Sequence, residues 1–458
     1  MSVLGRISLK PQNLLNISRA AFSSANNDPS QNVVLVDGVR TPFQTSCSGY
    51  EKLMAHDLQK MAISGLLKRT GVEHKDIDHV ICGTVIQEPK TSNIAREAML
   101  EAGLPDTIPA HTVTLACISS NVAITDAMGM IRTGAVDSVI AGGVETMSDV
   151  PLRLSRKLRT RLISMNLKKK NKSIGQMVGH MRGIKLKDVF GIEMPAIAEF
   201  STGEVMGHSA DRLAASFNVS RLEQDEYALR SHSLADKATK EGLLSDVLTV
   251  KVPGVAEKIS TDNTIKLNTL EKISKLKPAF IKPNGTVTAA NSSALTDGAS
   301  ACLIMREDKA LALGFKPKAY LREYCYVARD PKEQLLLGPS YATNKVLERA
   351  GLTKDDIDVY EFHEAFAGQI LAVLNALKSE SFCKNYMGRS EAFGEIPLEK
   401  FNNWGGSLSL GHPFGATGVR ITTMAANRLI HEDGQFALLA ACAAGGHAVG
   451  QILERYPS

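Results

Sequence analysis

The chain has no C-x-x-C pair and no closely spaced Cys/His quartet, although it carries seven cysteines in 458 residues. The cysteines (Cys47, Cys82, Cys117, Cys302, Cys325, Cys383 and Cys442) are scattered and odd in number. That spacing sets aside zinc ribbons, redox dithiols and a secreted disulfide framework, and leaves a reducing compartment with one or two reactive thiols as the expectation. No apolar run reads as a bilayer span. The stretch 435–453 lacks Lys, Arg, Asp and Glu, but glycines and a histidine break it, and it reads as a buried strand with a turn. A large excess of one charge is also missing. A net charge of +5 does not demand a nucleic-acid partner. What the chain does have is length and 44% hydrophobic residues, enough for a large core in two or three domains.

Two stretches lack acid locally. Residues 1–27 hold Arg6, Lys10 and Arg19, several serines and no Asp or Glu, with Leu4, Ile7, Leu14, Leu15, Ile17 and Phe22 able to share one helical face. This predicts a mitochondrial presequence over 1–31, the alternative being a disordered tail. Residues 153–187 hold twelve Lys or Arg and no acid. Leu154, Leu158 and Leu162 recur at helical spacing there, with Lys168-Lys-Lys170 beyond. A basic amphipathic helix of this kind predicts contact with an acidic membrane surface. A solvated insert and a seat for an acidic protein partner are the alternatives. Nucleic acid is set aside because no aromatic residues interleave with the basic ones.

The remainder suggests a duplication. Gly71-Val-Glu-His-Lys-Asp-Ile-Asp78 precedes an apolar strand at 80–82, and Gly351-Leu-Thr-Lys-Asp-Asp-Ile-Asp358 precedes another at 359–362. Each follows a helical pattern. The apolar stretches Ser138–Gly143 and Phe436–Gly446 both end in glycines, which extends the parallel. The expectation is an α/β unit used twice, once near each end of the chain. A short strand at 33–36 and a turn at 38–42 are expected to open the first unit.

Four places carry candidate chemistry. Cys117 stands between an apolar strand and a helical pattern at 123–131, where a helix N-terminus favours a thiolate. Glu361-Phe-His-Glu-Ala-Phe366 places His363 and Glu364 after the second unit's strand. Asn403–Gly418 sets His412 among five glycines before a helix, and Cys442-Ala-Ala-Gly-Gly446 closes an apolar strand. Glycine permits close backbone approach, and strand ends of an α/β sheet are where ligands bind. Taken singly, each cysteine is more often an inert core residue, and a lone histidine is structural about as often as functional.

Together, in this order, these blocks resemble the signature segments of thiolases over residues 32–458. The resemblance implies a five-layer α/β/α/β/α fold of two duplicated βαβ-type halves, 32–151 with 297–317 and 318–458, around an inserted loop domain at 152–296. It implies a 3-ketoacyl-CoA thiolase (acetyl-CoA C-acyltransferase) of mitochondrial fatty-acid oxidation working by ping-pong chemistry. Cys117 is then the nucleophile, His412 its base, Cys442 the proton donor and acceptor, and His363, where other members carry asparagine, the holder of an oxyanion water. Backbone N–H groups of Cys117 and Ala444 would form the second oxyanion site. Ser293, Phe280 and Lys266 would contact CoA, a substrate; no tightly bound cofactor and no metal are implied. Expected partners are a second copy as a homodimer core, a hydratase/dehydrogenase α subunit, and cardiolipin on the matrix face of the inner mitochondrial membrane through 153–187. Competing expectations are a short-chain acetoacetyl-CoA thiolase, a condensing synthase, and a lipid-surface scaffold without activity. A second thiol at Cys442 argues against the synthase, and the presence of all three of Cys117, Cys442 and His412 argues against the scaffold.

Overall fold

The computed structural model describes residues 29–167, 182–195 and 198–457. The presequence therefore falls, up to residue 28, outside the described residues, as does Lys168–Lys170. The first half runs β1 (Val33–Arg40), α1 (Ala55–Thr70), β2 (His79–Gly83), α2 (Ile94–Glu101), β3 (Ala110–Val113), α3 (Ser119–Arg132) and β4 (Ser138–Glu145). The middle of the chain holds α4 (Arg156–Leu167), α5 (Met206–Ser216) and α6 (Arg221–Lys240) before the chain returns through β5 (Thr296–Arg306). The second half is β6 (Ala319–Ala328), α7 (Gly338–Ala350), β7 (Val359–Phe362), α8 (Ala367–Lys378), α9 (Thr417–His431), β8 (Phe436–Ala443) and β9 (His447–Arg455).

These strands form one hydrogen-bonded path, β7-β8-β9-β6-β1-β5-β4-β2-β3, joined at its middle by two antiparallel residue pairs between β1 and β6. Within each half the pattern is the same. β2 and β4 are parallel, as are β7 and β8, while β5 and β9 run antiparallel beside them. The first strand is longer than expected: β1 continues through Gly38 to Arg40, because β5 pairs with it along its whole length.

Both faces of each half are buried, so side chains alternate between two cores rather than between core and water. Val34 and Val36 of β1 pack with α1 and α2, whereas Val33 and Leu35 point the other way, toward α3. Tyr360 and Phe362 of β7 pack with α7 and α8, while Val359 faces the middle. The central cluster unites α3 (Ile124, Met128, Ile131) and α9 (Ile421, Ala425, Leu429) with strands of both halves. Outer helices, strands, paired central helices, strands and outer helices make five layers, which is the thiolase fold.

The duplicated sequence does the same work twice. Gly71 and Gly351 close α1 and α7 in the left-handed region, at φ 68° and φ 66°. Asp78 then accepts hydrogen bonds from the backbone of Asp137 and Ser138 at 2.8 and 3.0 Å, where β4 begins. Asp358 accepts from Gln435 and Phe436 at 2.7 and 3.3 Å, where β8 begins. The basic segment is less regular than expected. Leu154 lies off the helix, paired with Ile192 in a two-residue strand, because α4 starts only at Arg156.

Candidate active site

The two halves bring equivalent places together. Cys117 lies just before α3, and His412 just before α9, its counterpart. His363 follows β7, and Cys442 sits at the end of β8. Ala116, at φ 46°, holds the turn that presents Cys117. Ser119 locks that turn: its hydroxyl accepts from Leu115 N at 2.8 Å and donates to Ala116 O at 2.7 Å. Across from it, the histidine turn approaches the first half at backbone distance. A Cβ on Gly143 would lie 1.9 Å from Gly415 O, and one on Gly415 2.4 Å from Val144 O. Only glycine allows that approach. The buried Glu145 carboxylate fastens the junction, accepting from Val85 N, Ile86 N and Gly415 N at 3.0, 2.9 and 3.1 Å. Burial raises its pKa to about 7, against those three donors.

One atom each of Cys117, His363 and His412 lie within 4.8 Å of one another. The two rings are 4.0 Å apart at their centroids. Each ring is held from behind. His412 Nδ1 is 2.6 Å from Thr417 Oγ1, and the Thr417 hydroxyl donates to Pro413 O at 3.1 Å. A carbonyl only accepts, so the hydroxyl proton is spent there. Nδ1 must then carry the proton toward Thr417, which leaves the lone pair on Nε2. His363 Nδ1 is 2.8 Å from Ser407 Oγ, which also accepts from the buried Arg420 guanidinium at 2.7 Å. Ser407 can donate to Nδ1 or accept from it, so His363 presents either an N–H or a lone pair at Nε2. The Nε2 atoms of both rings are buried and have no hydrogen-bond partner among the described residues.

The electrostatics keep the site neutral at rest. Burial, then the Arg420 charge, depresses His363 to about 3. Burial, with His363 and Arg420 adding, holds His412 well below its ordinary value. Burial pushes the Cys117 thiol up to about 12, partly offset by hydrogen bonds to its sulfur from the backbone of Ala444 and of Cys117 itself. Cys442 is raised as well, first by burial and then by Cys117, which places the two sulfurs in one electrostatic neighbourhood. Gly445 and Gly446 keep the Ala444 turn tight at φ 80° and 75°.

The remaining expected residues sit around this centre. Ser293 N–H donates to Ala365 O at 3.0 Å, and His412 N–H to Ala294 O at 3.3 Å. Isolated bridges join Ser292 to Phe366 and Leu295 to His412, so the irregular 291–295 segment lies between the two histidine segments. Lys266 lines a small cavity of about 70 Å³ with His232, Ser292 and Leu408. Phe280 does not line that cavity; it packs edge-on against Phe366 and His208. Several residues escaped sequence reasoning. Thr417, Ser407, Arg420 and Glu145 form the layer behind the site. Glu364, singled out in the sequence beside His363, is structural here and ties α6 to the histidine turn, accepting from Tyr227, Ser231 and Asn402 at 2.8 Å each. Glu199, from the middle of the chain, accepts from Gly445 N at 2.7 Å. Only Thr417, five residues after His412 at a helix start, left a signal that could have been read.

A thiol and two oriented imidazoles at the junction of duplicated α/β halves define a thiolase, and the chain belongs to that family. The family's N-terminal domain (Thiolase, N-terminal domain) matches residues 33–308 and its C-terminal domain (Thiolase, C-terminal domain) residues 315–455. Among individual relatives, the chain is 62% identical over 427 residues to human "Trifunctional enzyme subunit beta, mitochondrial", covering 93% of this chain and 89% of that one. It is 60% identical over 440 residues to a Caenorhabditis elegans "Probable 3-ketoacyl-CoA thiolase", covering 96% and 97%. Solved human mitochondrial 3-ketoacyl-CoA thiolase superposes with a TM-score of 0.79 at 29% identity, covering 93% of this chain and all of that one.

Proposed function

We infer that the chain is a 3-ketoacyl-CoA thiolase of mitochondrial fatty-acid oxidation, cleaving long-chain 3-ketoacyl-CoA with CoA to acetyl-CoA and a shortened acyl-CoA. The observation that carries this reading is the Cys117–His363–His412 cluster, with the free lone pair of His412 on Nε2. His412 Nε2 takes the Cys117 proton as sulfur attacks the 3-keto carbon. The neutral resting pair suits this, because no charge is buried until substrate supplies the oxyanion that balances it. The oxyanion is held by N–H donors: Ala444 and Cys117 backbone on one side and, in the tautomer where Nδ1 accepts from Ser407, His363 Nε2–H, directly or through a water, on the other. The C2–C3 bond breaks, Cys442 protonates C2, and acetyl-CoA leaves an acyl-Cys117. Cys442, now a thiolate, takes the proton of incoming CoA, whose sulfur attacks the acyl group. Cys117 departs and recovers its proton from His412.

The 291–295 segment bridged to both histidine segments supports Ser293 as a pantetheine contact. The Lys266 cavity supports that residue as a contact for the nucleotide end; Phe280 contributes by packing Phe366 into place. The halves divide as 32–151 with 297–317, and 318–458, around 152–296. A homodimer core, a hydratase/dehydrogenase partner and a matrix-side cardiolipin contact through 153–187 complete the reading. Exposed Leu186, Phe190, Ile192 and Met194 beside the basic residues support that last surface.

The test is turnover of C4 and C16 3-ketoacyl-CoA by the parent and Cys117→Ser, with mass spectrometry after brief exposure to substrate. The reading expects an acyl adduct on Cys117, turnover of C16, and loss of both in the variant. Turnover confined to C4 would leave a short-chain thiolase; no adduct at all would leave a scaffold.

A further inference from the structure

We propose that Cys117, His363 and His412 form a capture site for a thiophilic divalent cation, zinc above all, and that the loaded protein cannot be acylated. The ligand set is one sulfur and two imidazoles whose ligand atoms already lie within 4.8 Å of one another. Zn–S bonds of about 2.3 Å and Zn–N bonds of about 2.0–2.1 Å put the ligand atoms of a tetrahedral site roughly 3.5 Å apart, so closure takes a small contraction. Both Nε2 atoms are buried and without a partner among the described residues, and the two rings lie 4.0 Å apart at their centroids, which leaves two unused nitrogens in one neighbourhood.

The groups behind the rings are those a metal site needs. Metal-bound histidines keep the ring fixed through the other nitrogen. Here Thr417 holds His412 Nδ1 at 2.6 Å and Ser407 holds His363 Nδ1 at 2.8 Å. The Thr417 hydroxyl already forces the lone pair of His412 onto Nε2. Ser407, already accepting from Arg420, has a second lone pair for His363 Nδ1–H, and that tautomer frees His363 Nε2 as a ligand. On binding, the Cys117 S–H bond breaks, an S–metal bond forms, and one proton is released to solvent; nothing is oxidised or reduced. Three protein ligands leave the fourth corner for water. His363 is the decisive residue, because an asparagine there would offer only an amide and leave a single imidazole beside the thiol. The other cluster of this kind among the described residues, His56, Asp57 and Glu101, lies at the surface and already holds Lys60.

The inference rests on geometry, not on the thiolase reading, and its readout needs no substrate. The whole chain is titrated with Co²⁺, followed by its ligand-field and sulfur-to-metal charge-transfer absorption, and then with Zn²⁺ against a chelator. One equivalent with a charge-transfer band is expected. His363→Asn should weaken Zn²⁺ binding by at least about 10- to 100-fold, and alkylation of Cys117 in the parent protein should abolish the band. Because alkylation needs no variant to fold, it stands as an independent check. Unchanged affinity in His363→Asn, a band that survives Cys117 alkylation, or a band lost in Cys47→Ser would each overturn the proposal.

Discussion

In the proposed mechanism Thr417 touches no reacting atom, yet its hydroxyl decides which nitrogen of His412 is free to act as base. Thr417→Val keeps the shape and removes the acceptor, leaving Nδ1–H buried and unpaired at a cost of roughly 1–3 kcal/mol. The ring escapes that cost by turning or by moving its proton to Nε2, and either change disarms the base. We expect kcat to fall roughly ten- to a hundredfold with KM little changed, and Thr417→Ser to restore most of it; steady-state kinetics on the two variants checks this. His363 leaves a second mark, on stability. It is held at about 3 in the folded protein, against 6.5 for an ordinary histidine. Between those values the unfolded chain binds a proton that the folded chain refuses, so stability falls as pH drops from about 6.5 toward 3. His363→Asn removes that proton and leaves the matching contribution of His412. Its melting temperature should fall less steeply than the parent's between pH 6.5 and 4; parallel curves would refute the assignment. Cys117, His412 and Cys442 were legible in the sequence through the ordered blocks that resemble thiolase signature segments, since taken singly each could be a core residue. Ser407 and Arg420 were not, since a serine and an arginine gain meaning only from what folding sets next to them.

At the scale of elements, the duplicated Gly…Asp-Ile-Asp segment was visible as a repeat, but its purpose was not. The second aspartate of each copy reaches sideways to cap the neighbouring strand, a contact 59 or 77 residues away in sequence. Asp358→Ala leaves the N–H groups of Gln435 and Phe436 without their acceptor where β8 starts. At that half-exposed end water recovers part of the loss, so destabilisation of about 1–2 kcal/mol is expected. Asp78→Ala should cost a similar amount, because it frees two N–H groups at β4 in the same way. Denaturant unfolding of both variants measures this; a difference of several kcal/mol between them would mean that the copies are not equivalent. The glycines at the crossing are a harsher constraint. Gly143→Ala puts a methyl 1.9 Å from Gly415 O, which forces β4 and the histidine turn apart. Overpacking of this kind costs about 1–3 kcal/mol or more, and here the displaced segment carries His412. Loss of activity should therefore exceed loss of stability, as comparison of turnover with melting temperature in the same variant would reveal.

For the whole molecule, a duplicated α/β unit was readable from a repeat and apolar strands and the five layers from the resemblance to thiolases, while the surface of the middle region was not, because its charges are set by neighbours outside the acid-free run. Lys157 pairs with Asp188 at 3.2 Å and Arg159 with Glu193 at 3.2 Å, and Glu193 also accepts from Arg156 N. Exposed pairs of this type contribute little to stability, but they reduce the field a membrane would feel. The positive charge left over belongs to Arg153, Arg161, Arg182, Lys185 and Lys187, to which no ion pair is made among the described residues, with Leu186 and Phe190 exposed beside them. Juxtamembrane basic residues contribute about 1 kcal/mol each toward anionic lipid. Arg153→Glu with Arg161→Glu and Lys187→Glu should therefore weaken co-sedimentation with cardiolipin vesicles by at least a hundredfold in affinity. Lys157→Ala with Arg159→Ala should weaken it far less, since those charges are already answered. Turnover of soluble substrate should not change in either set, because none of these residues belongs to the Cys117–His363–His412 cluster. If both sets weakened binding equally, the lipid would be sensing net charge alone; if neither did, the surface would be left to a protein partner.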